Sequence, residues 1–304
     1  MKHEISPLGA AAIAGTLGLD FRGDDVTVDG ASPFPPDTTG VLTFCGRAEV
    51  GGLDPLPGGC IVIARAEAAD GLEALGAAAV VVSANPKLDF CRLFALQAPE
   101  PEWGVHPSAA IGPAVELAER VSIGPGCVLD GDIRVGAGSR IGANVVLRNR
   151  VIVGENVRMR NGAVIGEDAF SFGFPGSAAA DQDGVRFPCF GAVVIKDRVE
   201  IGNNCVISRG TFRDTVLGEG SRINDLAHIG NEVQIGEHAI ITAHTDISAR
   251  VRIGRGCWIG QSAAIRQGHV IGDGATVGMG AVVTADVPAG ATVVGVPARA
   301  KGSP

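Results

Sequence analysis

From Ile111 onward the chain sets an apolar residue at every sixth position: Ile111, Leu117, Ile123, Leu129, Val135, Ile141, Leu147, Val153, Met159 and Ile165. The beat returns at Ile195, Ile201 and Ile207, slips by four residues, and runs unbroken from Leu217 to Val283. Gly commonly follows the apolar residue, as at Gly124, Gly142 and Gly254, and a small or β-branched residue such as Val121, Cys127, Cys205 or Cys257 stands two positions before it. A period of six fits neither an amphipathic helix nor a simple alternating strand. It predicts a parallel β-helix in which each hexad supplies one short strand and one corner, and three hexads make a coil of 18 residues. Coils stack at the ordinary strand spacing of about 4.8 Å, so residues eighteen apart become neighbours. A solenoid of this kind buries its axis and leaves flat sides, which favours a closed oligomer with sites in grooves between chains.

Residues 1–103 lack the beat. A helical opening over Ala10–Leu19 is followed by strand-like runs at Gly40–Cys45, Cys60–Ala64 and Ala79–Ser83, then a helical stretch over Leu88–Leu96. This reads as a small α/β domain, joined through the Pro-containing linker Ala98–Glu102 to a solenoid over 104–290 that begins at His106 and is followed by a C-terminal tail, 291–304. Between Ile165 and Ile195 the beat stops around a cluster of Phe170, Phe172, Phe174, Phe187 and Phe190, and a loop of that length is either functional or a flap sealing an oligomer. The slip at Ser208–Asp214 is a second excursion.

Composition narrows the function classes. The net charge of −8, with no Lys/Arg cluster, argues against nucleic acid as a partner. No apolar run reaches membrane-spanning length. The seven cysteines form no CxxC pair and several fall at the small inward position, which reads as reduced core residues of a cytoplasmic protein. The opening stretch lacks a basic leader and reads as the start of a folded domain rather than a signal peptide.

The stretches Gly162-Ala-Val-Ile-Gly-Glu-Asp-Ala-Phe-Ser-Phe-Gly173, Val194-Ile-Lys-Asp-Arg-Val-Glu-Ile-Gly202, Ser208-Arg-Gly210 and Asp214-Thr-Val-Leu-Gly218, with the slip after Ile207, carry a resemblance. Across nearly its whole length the chain resembles UDP-3-O-(3-hydroxyacyl)glucosamine N-acyltransferases of lipid A biosynthesis. That resemblance implies a small N-terminal uridine-binding domain, a left-handed parallel β-helix, a homotrimer, and N-acyl transfer to a nucleotide-linked amino sugar. Three positions depart from the family pattern. Asn231, in His228-Ile-Gly-Asn-Glu-Val233, stands where the family has its catalytic His. The nucleotide motif Phe-x-x-Asn-x-x-Tyr is matched by Phe44-Cys-Gly-Arg47-Ala-Glu-Val50, which leaves Phe44 and Arg47 as the nucleotide-binding candidates. The ending Gly278–Arg299 resembles coenzyme A-dependent hexapeptide acetyltransferases more than the family's long C-terminal helix. The acyl donor is therefore either acetyl-CoA or acyl carrier protein, with no bound cofactor or metal expected.

Transfer of an acyl group from a thioester to an amine needs a base for the attacking nitrogen and a donor for the developing oxyanion. Counting eighteen from His228 lands on Asp246, one coil away on the same side. A carboxylate there would hold the imidazole tautomer and raise its basicity. The expected catalytic set is His228 as base, Asp246 as its orienter, and His244 in reserve. By the resemblance, Ala249 would supply the oxyanion N–H and Asn231 would position the amine or the acyl carbonyl. Trp258 and Gln261, on coils toward the C-terminal end, are candidates for contacting a pantetheine arm. His3 and His238 read as surface residues, and His269, at an inward position, as a packing oddity or a group pointing into the groove. Two readings of other classes compete: a zinc hydratase of the γ-carbonic anhydrase type, which needs three converging His, and a non-catalytic scaffold.

Overall fold

The computed structural model describes residues 2–97, 101–174 and 183–301. The chain divides into two compact units, Met1–Glu100 and Pro101–Pro304.

The first unit runs β1 (His3–Gly9), α1 (Ala10–Leu17), β2 (Asp20–Gly23), β3 (Thr27–Ala31), β4 (Val41–Cys45), β5 (Ile61–Ala64), α2 (Ala66–Ala74), β6 (Ala79–Val82) and α3 (Pro86–Leu96). Its sheet has the order β1-β3-β4-β5-β6-β2, with β3 to β6 parallel and both edge strands antiparallel. Apolar runs such as Ile61–Ala64 arise because both faces of the sheet are covered. Ile61 and Ile63 pack in one core with Ile13 of α1 and Leu93 of α3, while Val62 and Ala64 face Ala69 and Leu72 of α2. The start of α3 follows from Asn85, whose side-chain oxygen accepts the Leu88 N–H at 3.3 Å, with Pro86 in the first turn. The edge strands and α2 were not expected from sequence, because β1 and β2 are largely exposed and carry no apolar alternation.

The second unit is the β-helix. Strands pair in parallel eighteen apart, as in Ser122 with Arg140 and Val128 with Val146. The inward residues Ile123, Leu129, Ile141, Leu147, Ile229 and Ile247 are buried in one continuous core. The first inward residue, Ile111, is 37% exposed. Three faces result. The first holds the strands from Gly104–Val105 through Trp258–Ile259 to Thr292–Val294. The second holds Val146, Val164, His228 and Asp246, and the third holds Val193, Thr215, Gln234 and Arg252. The second and third are continuous where Val128–Val135 and Val146–Val153 run unbroken across their shared corner.

Two sequence expectations need correction, the end of the solenoid and the burial of all seven cysteines. The parallel sheet continues through Thr292–Val294, which pairs with Thr276–Val277, so the solenoid outlasts residue 290 and only a short hairpin to Arg299–Ala300 follows. The Phe-rich excursion carries its own antiparallel ribbon, Phe172–Gly173 with Val185–Arg186; residues 175–182 lie outside the described residues, as do 98–100 of the expected linker. Of the cysteines, Cys45, Cys60, Cys127, Cys205 and Cys257 are buried, but Cys91 is exposed and Cys189 half-buried, so these two are not core residues. Desolvation pushes the Cys127, Cys205 and Cys257 thiols up, keeping them protonated and unreactive. Both excursions keep the register: Val164 pairs with Val206 across the first and Val206 with His228 across the second, so the coil simply resumes beneath each loop.

Candidate active site

On the second face the outward-pointing column reads Val128, Val146, Val164, Val206, His228, Asp246, Ala264 and Val282. His228 and Asp246 are the polar pair in an otherwise aliphatic column. The parallel register alone brings them together. Their Cα positions are partners in adjacent strands, and His228 Nδ1 lies 2.8 Å from Asp246 Oδ1. With the carboxylate accepting the Nδ1 proton, Nε2 carries the lone pair and is free to act as base. The two side chains are 50% and 59% exposed, so the pair is open to a ligand laid on this face.

The other expected residues fall around this pair in different ways. His244 occupies the corner just before the Asp246 strand, at a φ of 59°. Its ring makes no hydrogen bond among the described residues, and Asp246 is engaged by His228 instead. Asn231 stands at the corner following the His228 strand, where its carbonyl accepts the Arg250 N–H at 2.9 Å. Ala249 lies one coil below. At the equivalent corner position elsewhere, the N–H of Ala143, Asn203 and Arg255 is capped by the side-chain oxygen of Asn161, Asp225 and Asp273, at 2.9, 2.7 and 2.8 Å. The Ala249 N–H has no such partner among the described residues, which leaves it available to an oxygen of a ligand. Trp258 and Gln261 line one shallow groove with Thr242 and Met279, on the first face and at the corner leading to the second.

In the first unit Phe44 is half-buried and packs against the core: its ring lies 5.1 Å from that of Phe90, which in turn lies 4.9 Å from Phe94. Arg47 is exposed in the turn after β4.

A second imidazole–carboxylate pair was not anticipated. His269 Nδ1 lies 3.0 Å from Asp286 Oδ1, which also accepts the Val270 N–H at 2.9 Å. These bonds, the Val270 amide first and His269 second, hold the Asp286 carboxyl below its usual range. The eighteen-residue rule missed the pair because the closing coil is short: its partners are separated by seventeen, and Thr276 pairs with Thr292. Among the described residues, no three or more His, Cys, Asp or Glu side chains lie together as a metal site, and no helix is long and apolar enough to cross a membrane.

Comparison with known proteins bears on the repeat and the fold. Residues 132–167 match the family model for bacterial transferase hexapeptide repeats (six repeats), and residues 250–285 match that for the hexapeptide repeat of succinyl-transferase. The chain is 41% identical over 64 residues to UDP-3-O-acylglucosamine N-acyltransferase of Ruegeria pomeroyi, covering 21% of this chain and 17% of that one. It is 45% identical over 60 residues to the enzyme of the same name from Dechloromonas aromatica, covering 20% and 16%. Each match thus spans about a sixth of the curated relative's length. In fold, the structure is similar to a UDP-N-acetylglucosamine acyltransferase of Francisella novicida, with a TM-score of 0.57 at 24% identity over 65% of this chain and 68% of that one. By its repeat and its coil register the chain is a hexapeptide-repeat β-helix, and its segments 132–167 and 250–285 are similar to the repeats of hexapeptide transferases.

Proposed function

We propose that the protein is an N-acyltransferase that moves an acyl group from a thioester, of coenzyme A or of acyl carrier protein, to the amine of a nucleotide-linked amino sugar. The observation that carries this reading is the His228–Asp246 pair, hydrogen-bonded at 2.8 Å in an aliphatic column of a hexapeptide solenoid. The amine nitrogen attacks the thioester carbonyl, forming the C–N bond as His228 Nε2 takes the proton that nitrogen sheds. The positive charge then gathering on the imidazole is held by Asp246, and the negative charge on the carbonyl oxygen is met by the Ala249 N–H. When the C–S bond breaks, the imidazolium returns its proton to the departing thiolate, which leaves as the thiol and restores the base. Asn231 positions the amine or the carbonyl, and His244 is the alternative base.

The aliphatic column also suits a second copy of the chain, since removing flat apolar surface from water favours association. We therefore extend the proposal to a homotrimer in which the column is covered and the pair lies in the cleft between chains. The test is acyl transfer by the purified chain with UDP-, dTDP- and GDP-amino sugars against acetyl-CoA and acyl carrier protein thioesters. Formation of an N-acyl sugar that is lost in His228→Ala supports the reading. Failure of every pairing favours a non-catalytic scaffold.

A further inference from the structure

Beyond the pair, the described residues form a large groove that the proposed chemistry does not use. It lies on the third face, beneath the excursion at residues 208–214, has a volume of about 990 Å³, and is lined by Phe212, Arg213, Glu232, Arg250, Arg252 and Val270, among others. That volume sits at the upper end of the roughly 300–1,000 Å³ of small-molecule sites.

Its charges are unevenly used. Both acids at the groove are tied up by neighbouring donors. The Glu232 carboxylate accepts the Thr211 hydroxyl and the Phe212 and Arg213 N–H groups, at 2.5, 2.7 and 3.2 Å. Asp214 accepts the Ala192 N–H at 2.7 Å and lies 3.6 Å from Arg150. The guanidinium groups of Arg213, Arg250 and Arg252 have no ion-pair partner within 4 Å among the described residues, although Arg250 contributes its field to Glu232. Glu232 keeps its negative charge and Asp214 is matched by Arg150, so the three guanidinium groups outnumber the acid charge left at the groove; such an excess favours an anion, and a guanidinium fork matches phosphate oxygens in particular.

An aromatic platform stands at the rim. Phe190 and Phe212 lie with ring planes 27° apart at a centroid distance of 6.0 Å, and Phe187 meets Phe212 edge-on at 5.6 Å. Phe190 and Phe212 are 60% and 71% exposed, so each offers a free face. The platform is braced, because the Phe190 and Gly191 N–H groups donate to Thr211 and Gly210, and Arg209 Nε donates to Gly191 O.

Flat rings beside unpaired guanidinium groups match a base joined to phosphates. We infer that this groove binds a nucleoside diphosphate, the rings of Phe190 and Phe212 stacking the base while Arg213, Arg250 and Arg252 hold the phosphates. The inference deepens the acyltransferase reading and rests on it for the ligand's source, since both a nucleotide-linked sugar and coenzyme A carry this group. If the ligand is the nucleotide-linked sugar, its recognition lies in the second unit rather than at Phe44 and Arg47.

The test is calorimetric titration of the full chain with UDP, dTDP, GDP and coenzyme A at low and high salt. At least one ligand should bind, more weakly at high salt. Arg250→Ala/Arg252→Ala should cost at least tenfold in affinity, Phe212→Ala about tenfold, and Arg250→Lys/Arg252→Lys less than the double alanine. These side chains are exposed, so the melting temperature should not move. Binding of a free nucleoside diphosphate identifies the sugar nucleotide as the source, and binding of coenzyme A alone identifies the donor. The inference is overturned if none of the four binds, if the double alanine variant binds as the parent does, or if Arg47→Ala abolishes binding. His228→Ala separates the two ideas: it should abolish transfer with nucleotide binding unchanged. Binding that persists in a chain with no transfer activity removes the enzyme reading and leaves the groove.

Discussion

Replacing Asp246 by Asn keeps size and shape while removing the charge that faces His228. The amide presents either an N–H, which forces Nδ1 to accept and leaves Nε2 protonated, or a neutral oxygen. Either way the imidazolium formed during transfer loses its counter-charge. At the observed 2.8 Å, and with both side chains about half exposed, a water-like dielectric of about 80 applies and the lost attraction is about 1.5 kcal/mol. That is roughly tenfold in rate, and the tautomer penalty carries the expected loss toward a hundredfold. His228→Ala removes the base itself and should cost roughly 10²–10⁴-fold. In steady-state assays of N-acyl product, Asp246→Asn should lower kcat with little change in KM. The double variant should be no slower than His228→Ala alone, since the carboxylate acts only through the imidazole. The reasoning is refuted if Asp246→Asn stays within twofold of the parent, if its defect lies wholly in KM, or if the two losses multiply.

Other consequences concern stability. Ile229 and Ile247 are buried and stacked in adjacent coils, so Ile247→Ala should destabilise by about 2–5 kcal/mol in denaturant unfolding. Ser139 Oγ donates to Gly154 O at 2.9 Å and accepts the Val157 N–H at 3.0 Å, whereas the buried Ser221 Oγ has no hydrogen-bond partner among the described residues. Ser139→Ala should therefore lower stability by about 1 kcal/mol, and Ser221→Ala should leave it unchanged or raise it. Burial of Glu232 raises its pKa, but the bonds from Thr211, Phe212 and Arg213 and the charge of Arg250 outweigh this and hold it below its usual range. Its contribution is present above the ordinary glutamate pKa and is lost as pH falls through the lower folded value. The protection factors of the Phe212 and Arg213 amides, corrected for the intrinsic exchange rate, should accordingly fall in acid, and in Glu232→Gln at neutral pH.

A Cβ on Gly210 would lie 1.5 Å from Arg213 O. Gly210→Ala should thus displace the loop that roofs the third-face groove, which a crystal structure of the variant would show, while the His228–Asp246 distance stays as it is.

The solenoid was legible in the sequence because a single spacing sets both burial and register: inward residues recur at six, and backbone pairing then stacks residues eighteen apart. The same count placed His228 against Asp246 before any coordinates, since side chains on paired strands have little choice of neighbour. Local cues likewise located α1, β4, β5, β6 and α3, the three strands each built on a short, mostly apolar run. Tertiary structure decided what spacing could not carry. The His269–Asp286 pair forms across a shortened closing coil, where the count fails. Phe44 is half-buried against Phe90 of α3, a long-range contact that its motif does not encode. The third-face groove depends on the excursion at residues 208–214 being braced by Phe190 and Gly191, and on three guanidinium groups that have no ion-pair partner within 4 Å among the described residues. A periodic backbone fixes its own neighbours by counting, whereas loops and caps acquire theirs only when the whole chain has folded.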